Sequence, residues 1–352
     1  MAKRNLDLHE TQEINQVFDA LVHRSEKVFL SASRLKTRET CSWQYWCKYH
    51  LRLPDGSNDG ARRGTVVHAV CEALLNPKHR DKYDEIIAKH SVWGIDYMKR
   101  YLNLLFHREG LGATSPKGED NKQMVEEMIL VALSIDFFCE NGILEKPEEE
   151  FCIENEKPYY KIRGFIDKLA YCPSFIRLVD YKSSAQKFKG KELTNNIQAK
   201  MYSLWAKKAK GLSAIAEFLF LRYPKDPIQT FEYSEKELEE FELFLEQRQS
   251  EFENFTQEDA MSDMAYDKGY GGEGFSGKLV CGYGTYEGQC KKDGTPYYQC
   301  FAKYPFWYYH IFDESGKLKL SVREEDLPNV LDSFSVTDRI ECNFYQGCPR
   351  FN

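Results

Sequence analysis

Asp167, Asp180 and Lys182 draw attention through the stretch that carries them, GFIDKLAYCPSFIRLVDYKSS, residues 164–184. Pro173 and Ser174 read as a tight turn, since proline suits its first corner. The flanking runs, Ile162 to Tyr171 and Phe175 to Lys182, are rich in the β-branched and aromatic residues that strands favour. Counting outward from the turn pairs Cys172 with Phe175 and, further out, sets Asp167 opposite Asp180. Directly opposed residues bring their Cβ atoms to about 4.5–5.5 Å, where like charges repel, so something cationic belongs between the two carboxylates. A divalent ion answers that need, because hard cations such as magnesium take carboxylate oxygens. Lys182, two residues past Asp180, projects from the same strand face. The bland alternative is two solvated aspartates near a hairpin end.

The elements that must position these residues can be read from the chain. Residues 31–50, SASRLKTRETCSWQYWCKYH, read as one helix started by Ser31 or Ser33, with apolar and aromatic residues at helical spacing through Tyr45 and Tyr49. A second helix is expected from Thr65 to Leu75, beginning just after Gly64 and placing His68 in its first turns. Residues 120–140 are helical in pattern, and ELTNNIQAKMYSLWAKKAK, 192–210, reads as another helix on which Gln198 and Tyr202, four apart, share a face. A strand from Ala214 to Tyr223 and a long charged helix near 234–255 complete a mixed α/β core. The glycine-rich DKGYGGEGFSG, 267–277, marks a boundary, and the tail beyond it is β-rich and cysteine-rich. The expected organisation is therefore an N-terminal extension over 1–30, a core over 31–262 with a helical insertion at about 80–145, and a C-terminal module over 263–352.

Composition narrows the function classes. The 352 residues are 42% hydrophobic and 29% charged, an ordinary globular balance with ample length for a core. No segment approaches the roughly 20 apolar residues of a membrane span, and the start, MAKRNLDLHETQE, lacks the apolar centre of a secretory signal. An intracellular protein is expected, so the eleven cysteines read as reduced thiols or metal ligands rather than a disulfide framework. A net charge of −7 argues against indiscriminate coating of nucleic acid, yet Lys182 to Lys210 holds eight lysines against the single acid Glu192. One face can thus attract phosphate, although a solvated helix face is the plainer reading of such a run.

Taken in order, Gly64-x-x-x-His68, Asp167 in RGFID, Asp180-Tyr181-Lys182 and Gln198-x-x-x-Tyr202 resemble the motif set of the RecB-like branch of the PD-(D/E)XK nuclease superfamily. The opening LSASRLKTRETCSWQYW is similar to that branch's first motif, with Ser42 where a proline is usual. The resemblance spans about residues 30–205 and departs at Asp180, where many members carry glutamate, a change the superfamily pattern permits. It implies an α/β fold with a restriction-endonuclease-like core, a central mixed sheet flanked by helices, followed here by the cysteine-rich, β-rich C-terminal module. It also implies a metal-dependent deoxyribonuclease acting on single strands or duplex ends, in phage or bacterial recombination, repair or CRISPR adaptation, within the cytoplasm of a bacterial or phage-infected cell. Relatives sometimes become catalytically inactive DNA-binding or assembly subunits, but a pure binding module has no need of opposed carboxylates.

By that resemblance Asp167 and Asp180 are acidic ligands of Mg2+ or Mn2+, with His68 and the main-chain carbonyl of Tyr181 as further ligands. Phosphodiester hydrolysis needs an activated water and relief of charge on the phosphate, and such an ion supplies both. Lys182 would orient the water or stabilise the transition state. Gln198 and Tyr202 would line the DNA side, and Lys187, Lys189 and Lys191 would hold phosphates. No GxxxxGK[ST] phosphate loop is present, so any unwinding falls to a separate helicase or recombination partner chain.

The cysteines form a second constellation. In several relatives one early cysteine and three after the core hold a [4Fe–4S] cluster, often ending C-x2-C-x5-C-P. Cys41 matches the early position and Cys342-x5-Cys348-Pro349 the last two, but Arg339 stands where the remaining thiolate is expected. Cys281, Cys290 and Cys300 can supply that ligand or form a structural Zn2+ site, and buried free thiols are the alternative to both. Cys71, Cys139, Cys152 and Cys172 read as core or turn residues.

Overall fold

The structure, a computed structural model, describes residues 28–55, 59–115, 118–147, 149–270, 280–281, 300–330 and 334–351. The longer helices before the first strand are α1 Ala32–Thr40, α2 Asp59–Leu75, α3 Arg80–Lys89, α4 Asp96–Arg108 and α5 Asn121–Ser134. The strands β1 Ile143–Leu144, β2 Glu149–Glu156, β3 Tyr159–Ile166, β4 Lys168–Tyr171 and β5 Phe175–Lys182 follow. Helix α6, Ile197–Trp205, then leads to β6 Ser213–Phe220 and β7 Ile228–Phe231, and α7, Glu235–Glu253, to β8 Phe306–Phe312, β9 Leu318–Arg323 and β10 Arg339–Tyr345. The central sheet has the order β1-β4-β5-β6-β7, with β5 and β6 parallel and the other pairs antiparallel. A crossover through α6 is what allows that parallel pair.

The hairpin has the register that its sequence predicts. Tyr171 pairs with Ile176 and Lys168 with Val179, and the Cys172 N–H donates to the Phe175 carbonyl at 2.9 Å across the Pro173–Ser174 turn. The expected continuous arm from Ile162 to Tyr171 is, however, two strands. Pairing stops at Lys168, Asp167 turns out of the ladder, and β3 upstream pairs instead with β2 in a separate ribbon, Glu149 against Ile166 through Glu156 against Tyr159. Instead the Asp167 carboxylate accepts the Tyr181 N–H of β5.

Three helix expectations also change. Residues 31–50 do not form one helix: Ser31 caps α1, but Cys41 is extended (φ −158°, ψ 115°) and its sulfur caps a new short helix by accepting from the Gln44 N–H. Helix α2 begins at Asp59, so Gly64 lies inside it and His68 past its middle. The extra turns are held by Arg63, whose buried guanidinium donates to Glu119 and Asn121 at 3.0 Å. The helix over 192–210 is interrupted, because the Asn196 side chain accepts from the Ala199 N–H and so starts α6 at Ile197.

Both faces of the central sheet are covered. Ile176 and Leu178 of β5 and Phe218 and Phe220 of β6 join a core with α6 and α7, while the alternate residues Val179, Tyr181 and Leu219 join a second core with α2, α4 and α5. Asp180 and Lys182 have the parity of the first face. Beyond the core, β10-β8-β9 form a three-stranded antiparallel sheet, Cys342 opposite Tyr309. It docks on the first helices through Tyr345, whose hydroxyl receives the Trp43 indole N–H at 2.8 Å and the Cys47 thiol at 3.4 Å and donates to the Ala302 carbonyl at 2.9 Å. Among the described residues no helix is long and apolar enough to cross a membrane.

Gly164, in the RGFID segment, lies opposite Phe151, and a Cβ there would stand 2.7 Å from the Phe151 ring. That ring in turn packs edge-on against Tyr202, 5.7 Å between centroids. Gly164→Ala is expected to destabilise the protein by about 1–3 kcal/mol through overpacking, read as a lowered midpoint in urea unfolding; an unchanged midpoint would show that the ribbon yields freely.

Candidate active site

The residues singled out by type and spacing come together where the two layers meet, at the open ends of β3 and β5. Asp167, displaced from the ladder, accepts the Tyr181 N–H on Oδ2 at 2.6 Å, while its Oδ1 lies 3.3 Å from His68 Nδ1. The second nitrogen of His68, Nε2, is 3.0 Å from the Tyr181 carbonyl oxygen. Helix α2 can bring His68 this close because Gly64, one turn earlier, leaves room for Ser183; a Cβ at Gly64 would lie 2.6 Å from the Ser183 hydroxyl. Burial alone would lower the His68 pKa, but its hydrogen bond to Asp167 and the charges of Asp167 and Asp180 outweigh that and raise it to about 9.

Asp180 is only 5% exposed. Its Oδ1 accepts from the Gln198 amide at 2.6 Å and from the Tyr202 hydroxyl at 2.8 Å. Its Oδ2 lies 2.6 Å from Lys182 Nζ, an ion-pair distance, yet receives no hydrogen bond of proper direction. Burial raises the Asp180 pKa, Lys182 opposes this, and Asp167 adds to it. Lys182 also donates to Gln198 Oε1 at 2.9 Å and lies over the Phe218 ring, 5.2 Å from its centroid. The Tyr202 hydroxyl, which receives the second Gln198 N–H at 2.7 Å, has the Phe165 carbonyl at 2.9 Å as a further acceptor.

Tyr202 is therefore placed differently from the sequence expectation of a DNA-facing pair, while Gln198 is half-buried beside it. Tyr202 is 2% exposed, and both side chains hold Asp180 from the α6 side. Their spacing does put them on one face, but that face is turned inward because β5 and β6 need it as a cover. Of the three lysines, Lys187 is committed to Asp226 at 2.8 Å and to the Tyr223 ring, while Lys189 and Lys191 are exposed. Phe151, Phe165 and Ser183, which contact Tyr202 and Gly64, were not singled out from sequence, since nothing in their own types signals the role.

The donor set suits a hard divalent cation: two carboxylates, a peptide carbonyl and one imidazole. The buried Oδ2 of Asp180, ion-paired with Lys182 at 2.6 Å but without a well-directed hydrogen bond, is the atom best placed to take one. Among the described residues no three His, Cys, Asp or Glu side chains close on a single point as they stand. At this site Lys182 and His68 supply the positive charge next to the acids.

The cysteines form a separate place. Cys41, Cys281, Cys300 and Cys348 line one small cavity with Trp43, Met264, Lys303 and Phe351. The extended backbone at Cys41, the Cys300 N–H donating to the Cys281 carbonyl at 3.4 Å, and the Cys348 N–H donating to the Lys303 carbonyl at 3.1 Å set this arrangement. Burial above all, with the neighbouring sulfurs, pushes the Cys281 and Cys300 thiols up to about 12; at Cys281 the charge of Lys303 works the other way. Cys342, expected from its spacing to belong here, is exposed on β10 instead, because strand pairing with β8 fixes its side. Cys290 lies outside the described residues. Cys71 and Cys139 are buried, Cys172 is half-buried near the turn, and Cys152 is exposed on β2.

The family model described as PD-(D/E)XK nuclease superfamily matches residues 29–291, most of the chain, and the chain belongs to that superfamily. Among solved structures it is similar to a candidate exonuclease of Eubacterium rectale, at 15% identity over 72% of this chain and 88% of the other, with a TM-score of 0.42. It is also similar to SSO0001, at 14% identity over 61% of this chain and 87% of the other, with a TM-score of 0.22. No curated protein matches it. The assignment rests on the family match and on the mixed sheet flanked by helices that carries the acidic site.

Tyr202→Phe removes a donor from a buried carboxylate and is expected to cost about 1–3 kcal/mol of stability. In an Asp180→Ala background the cost should shrink, since the two residues share one network. Equal costs in both backgrounds, measured by denaturant unfolding, would show that the hydroxyl serves the Phe165 carbonyl rather than Asp180.

Proposed function

We propose that this protein is a divalent-metal-dependent deoxyribonuclease of the RecB-like branch, hydrolysing phosphodiester bonds at DNA ends or in single strands. The observation that carries the reading is the meeting of Asp167, Asp180, His68 and the Tyr181 carbonyl beside Lys182, with Asp180 Oδ2 left short of a hydrogen bond. Bound by these groups, Mg2+ or Mn2+ supplies Lewis acidity at the phosphate and lowers the pKa of water. The chain's own residues do the rest. Tyr181 N–H fixes one carboxylate, and Gln198 and Tyr202 fix the other, so little reorganisation is needed when substrate arrives. Lys182, beside Asp180, would place a positive charge near the attacking water or the charge developing on the phosphate oxygens. His68, held between the Asp167 carboxylate and the Tyr181 carbonyl, would hold the ion through a ring nitrogen in its neutral form.

We further propose that the thiols of Cys41, Cys281, Cys300 and Cys348 hold an iron–sulfur cluster that fastens the C-terminal sheet to the first helices. Four thiols around one cavity, drawn from both ends of the chain, support it. Thiols raised by burial bind metal only by losing protons, so the site would be occupied as thiolates or not at all. Recombination, repair or CRISPR adaptation in a bacterial or phage-infected cytoplasm, beside a separate helicase or recombination chain, is the setting that this reading gives the enzyme.

End-labelled linear DNA, single- or double-stranded, should be degraded with Mg2+ or Mn2+ and spared with chelator, while closed duplex circles should persist; no cleavage under any metal would leave a binding subunit with the same fold. Asp180→Asn should lower the rate by more than the about 10–100-fold typical of losing a ligand's outer partner, with the protein still folded, whereas near-normal cleavage would refute the ligand assignment. Neutralising Lys189 and Lys191 should weaken DNA binding and flatten its dependence on salt, because phosphate contacts release counterions. Lys187, already paired with Asp226, should matter less; unchanged affinity and salt slope in the double variant would assign these lysines to solvent. Anaerobically prepared protein should be coloured and contain iron and sulfide, lost in Cys41→Ser and Cys348→Ser; colourless protein with stoichiometric zinc would replace the cluster by a zinc site.

A further inference from the structure

The strand that leads into Asp167 has two unlike faces. Along β3, Tyr160, Ile162 and Ile166 are buried, while Arg163 and Phe165 alternate with them on the outer face and are exposed, Phe165 to 56%. The Phe165 carbonyl oxygen lies 2.9 Å from the Tyr202 hydroxyl, which is itself 2.8 Å from Asp180 Oδ1. Its main chain is thus anchored at the acidic site while its ring is left in solvent. Residues 28–31 run along one edge of β3: the Leu30 N–H donates to the Lys161 carbonyl at 2.8 Å, and the Leu30 carbonyl accepts the Arg163 N–H at 3.0 Å. Leu30 is buried, which turns Phe29 to the outer face, and there the Arg163 guanidinium lies over the Phe29 ring, 5.5 Å from its centroid. Arg34 follows, donating to the Phe29 carbonyl at 3.0 Å and lying 5.0 Å from the centroid of the Tyr49 ring. On the other edge, β2 sets Glu150 opposite Phe165 and Glu154 opposite Lys161, both exposed.

One exposed phenylalanine is ordinary on a protein surface. This one begins a row in which rings and guanidinium groups alternate away from the acidic site, with acids gathered on the far edge. Resting on the nuclease reading above, we propose that this outer face is the track for an unpaired DNA strand: Phe165 stacks on the base next to the phosphate at the acidic site, and Arg163 and Arg34 hold phosphates further along. Aromatic side chains bind single strands by stacking on bases of any kind, since every base has a π face. A guanidinium laid over a ring still presents its N–H edge to a phosphate. The acids of β2 repel the phosphodiester chain and so keep it on the arginine side. In a closed duplex the bases stack on one another and offer Phe165 no free face, so the track selects single strands and frayed ends.

The test measures binding of fluorescein-labelled oligothymidylate to the full-length chain in chelator. Phe165→Ala is expected to weaken binding about tenfold, the loss of one stacked base, and Phe165→Trp to restore it. On an oligomer of abasic residues, which has phosphates and nothing to stack, Phe165→Ala and wild type should bind alike. Arg163→Gln should lower the slope of log affinity against log salt by about 0.7, one phosphate contact on a single strand; an unchanged slope overturns the part given to Arg163. If Phe165→Ala does not fold, Phe165→Leu, which keeps apolar bulk without an aromatic face, takes its place. Wild-type affinity for oligothymidylate in the variant overturns the proposal, as does an equal loss on the abasic oligomer or on closed duplex circles. Wild-type protein that neither binds nor cuts DNA under any metal overturns the nuclease reading itself, whereas wild-type protein that cuts single strands, with Phe165→Ala binding them normally, overturns the track alone.

Discussion

The structure depends most on one costly arrangement: a carboxylate, Asp180, buried to 5% exposure next to a second carboxylate. An isolated buried charge of this kind would be unaffordable, and every group around it answers that cost. Gln198 and Tyr202 donate to one oxygen, Lys182 brings a positive charge to the other, and Asp167 is held apart by the Tyr181 N–H. Two neighbouring residues of one strand thus serve opposite needs. Asp180 and Lys182 face α6, while Tyr181 between them offers its N–H to Asp167 and its carbonyl to His68.

That arrangement constrains the elements around it. The ladder between β4 and β5 must end at Lys168 so that Asp167 can turn, and β3 must leave for a different ribbon. Gly164 lets Phe151 lie against that ribbon and reach Tyr202, and Gly64 lets α2 approach Ser183 at the end of β5. The parallel pair β5 and β6 requires a crossover, and the helix that makes it supplies Gln198 and Tyr202. Topology and site are therefore linked through α6: the element that makes the crossover also supports the buried carboxylate of Asp180.

The C-terminal sheet is joined to the core by a different kind of contact. One tyrosine hydroxyl, that of Tyr345, connects Trp43, Cys47 and Ala302, and a cavity lined by thiols and a buried lysine lies among the same segments. Cys41 belongs to both stories, as the break that ends α1 and as a wall of the cavity. Continuous helix through residue 41 would satisfy local propensity, and its interruption is a sign that long-range demands prevail there.

Much of the site could be read without coordinates. The hairpin register followed from a proline turn and a count of pairs, and the residue types at Asp167, Asp180, Lys182 and His68 pointed to a cation site, because alternation along a strand and ligand chemistry are local properties. The mixed α/β class was legible for the same reason, from helical and strand periods in turn. Only the tertiary structure decided that Asp167 leaves the ladder, that Tyr202 faces inward, that Lys187 is bound to Asp226, and that Cys281 and Cys300 rather than Cys342 join Cys41 and Cys348. Each of those depends on a partner more than ten residues away in the chain, whether a backbone N–H, a sheet needing cover, a carboxylate or a strand fixing a side. Spacing along the sequence says which residues can share a face, and only packing between distant segments says what that face meets.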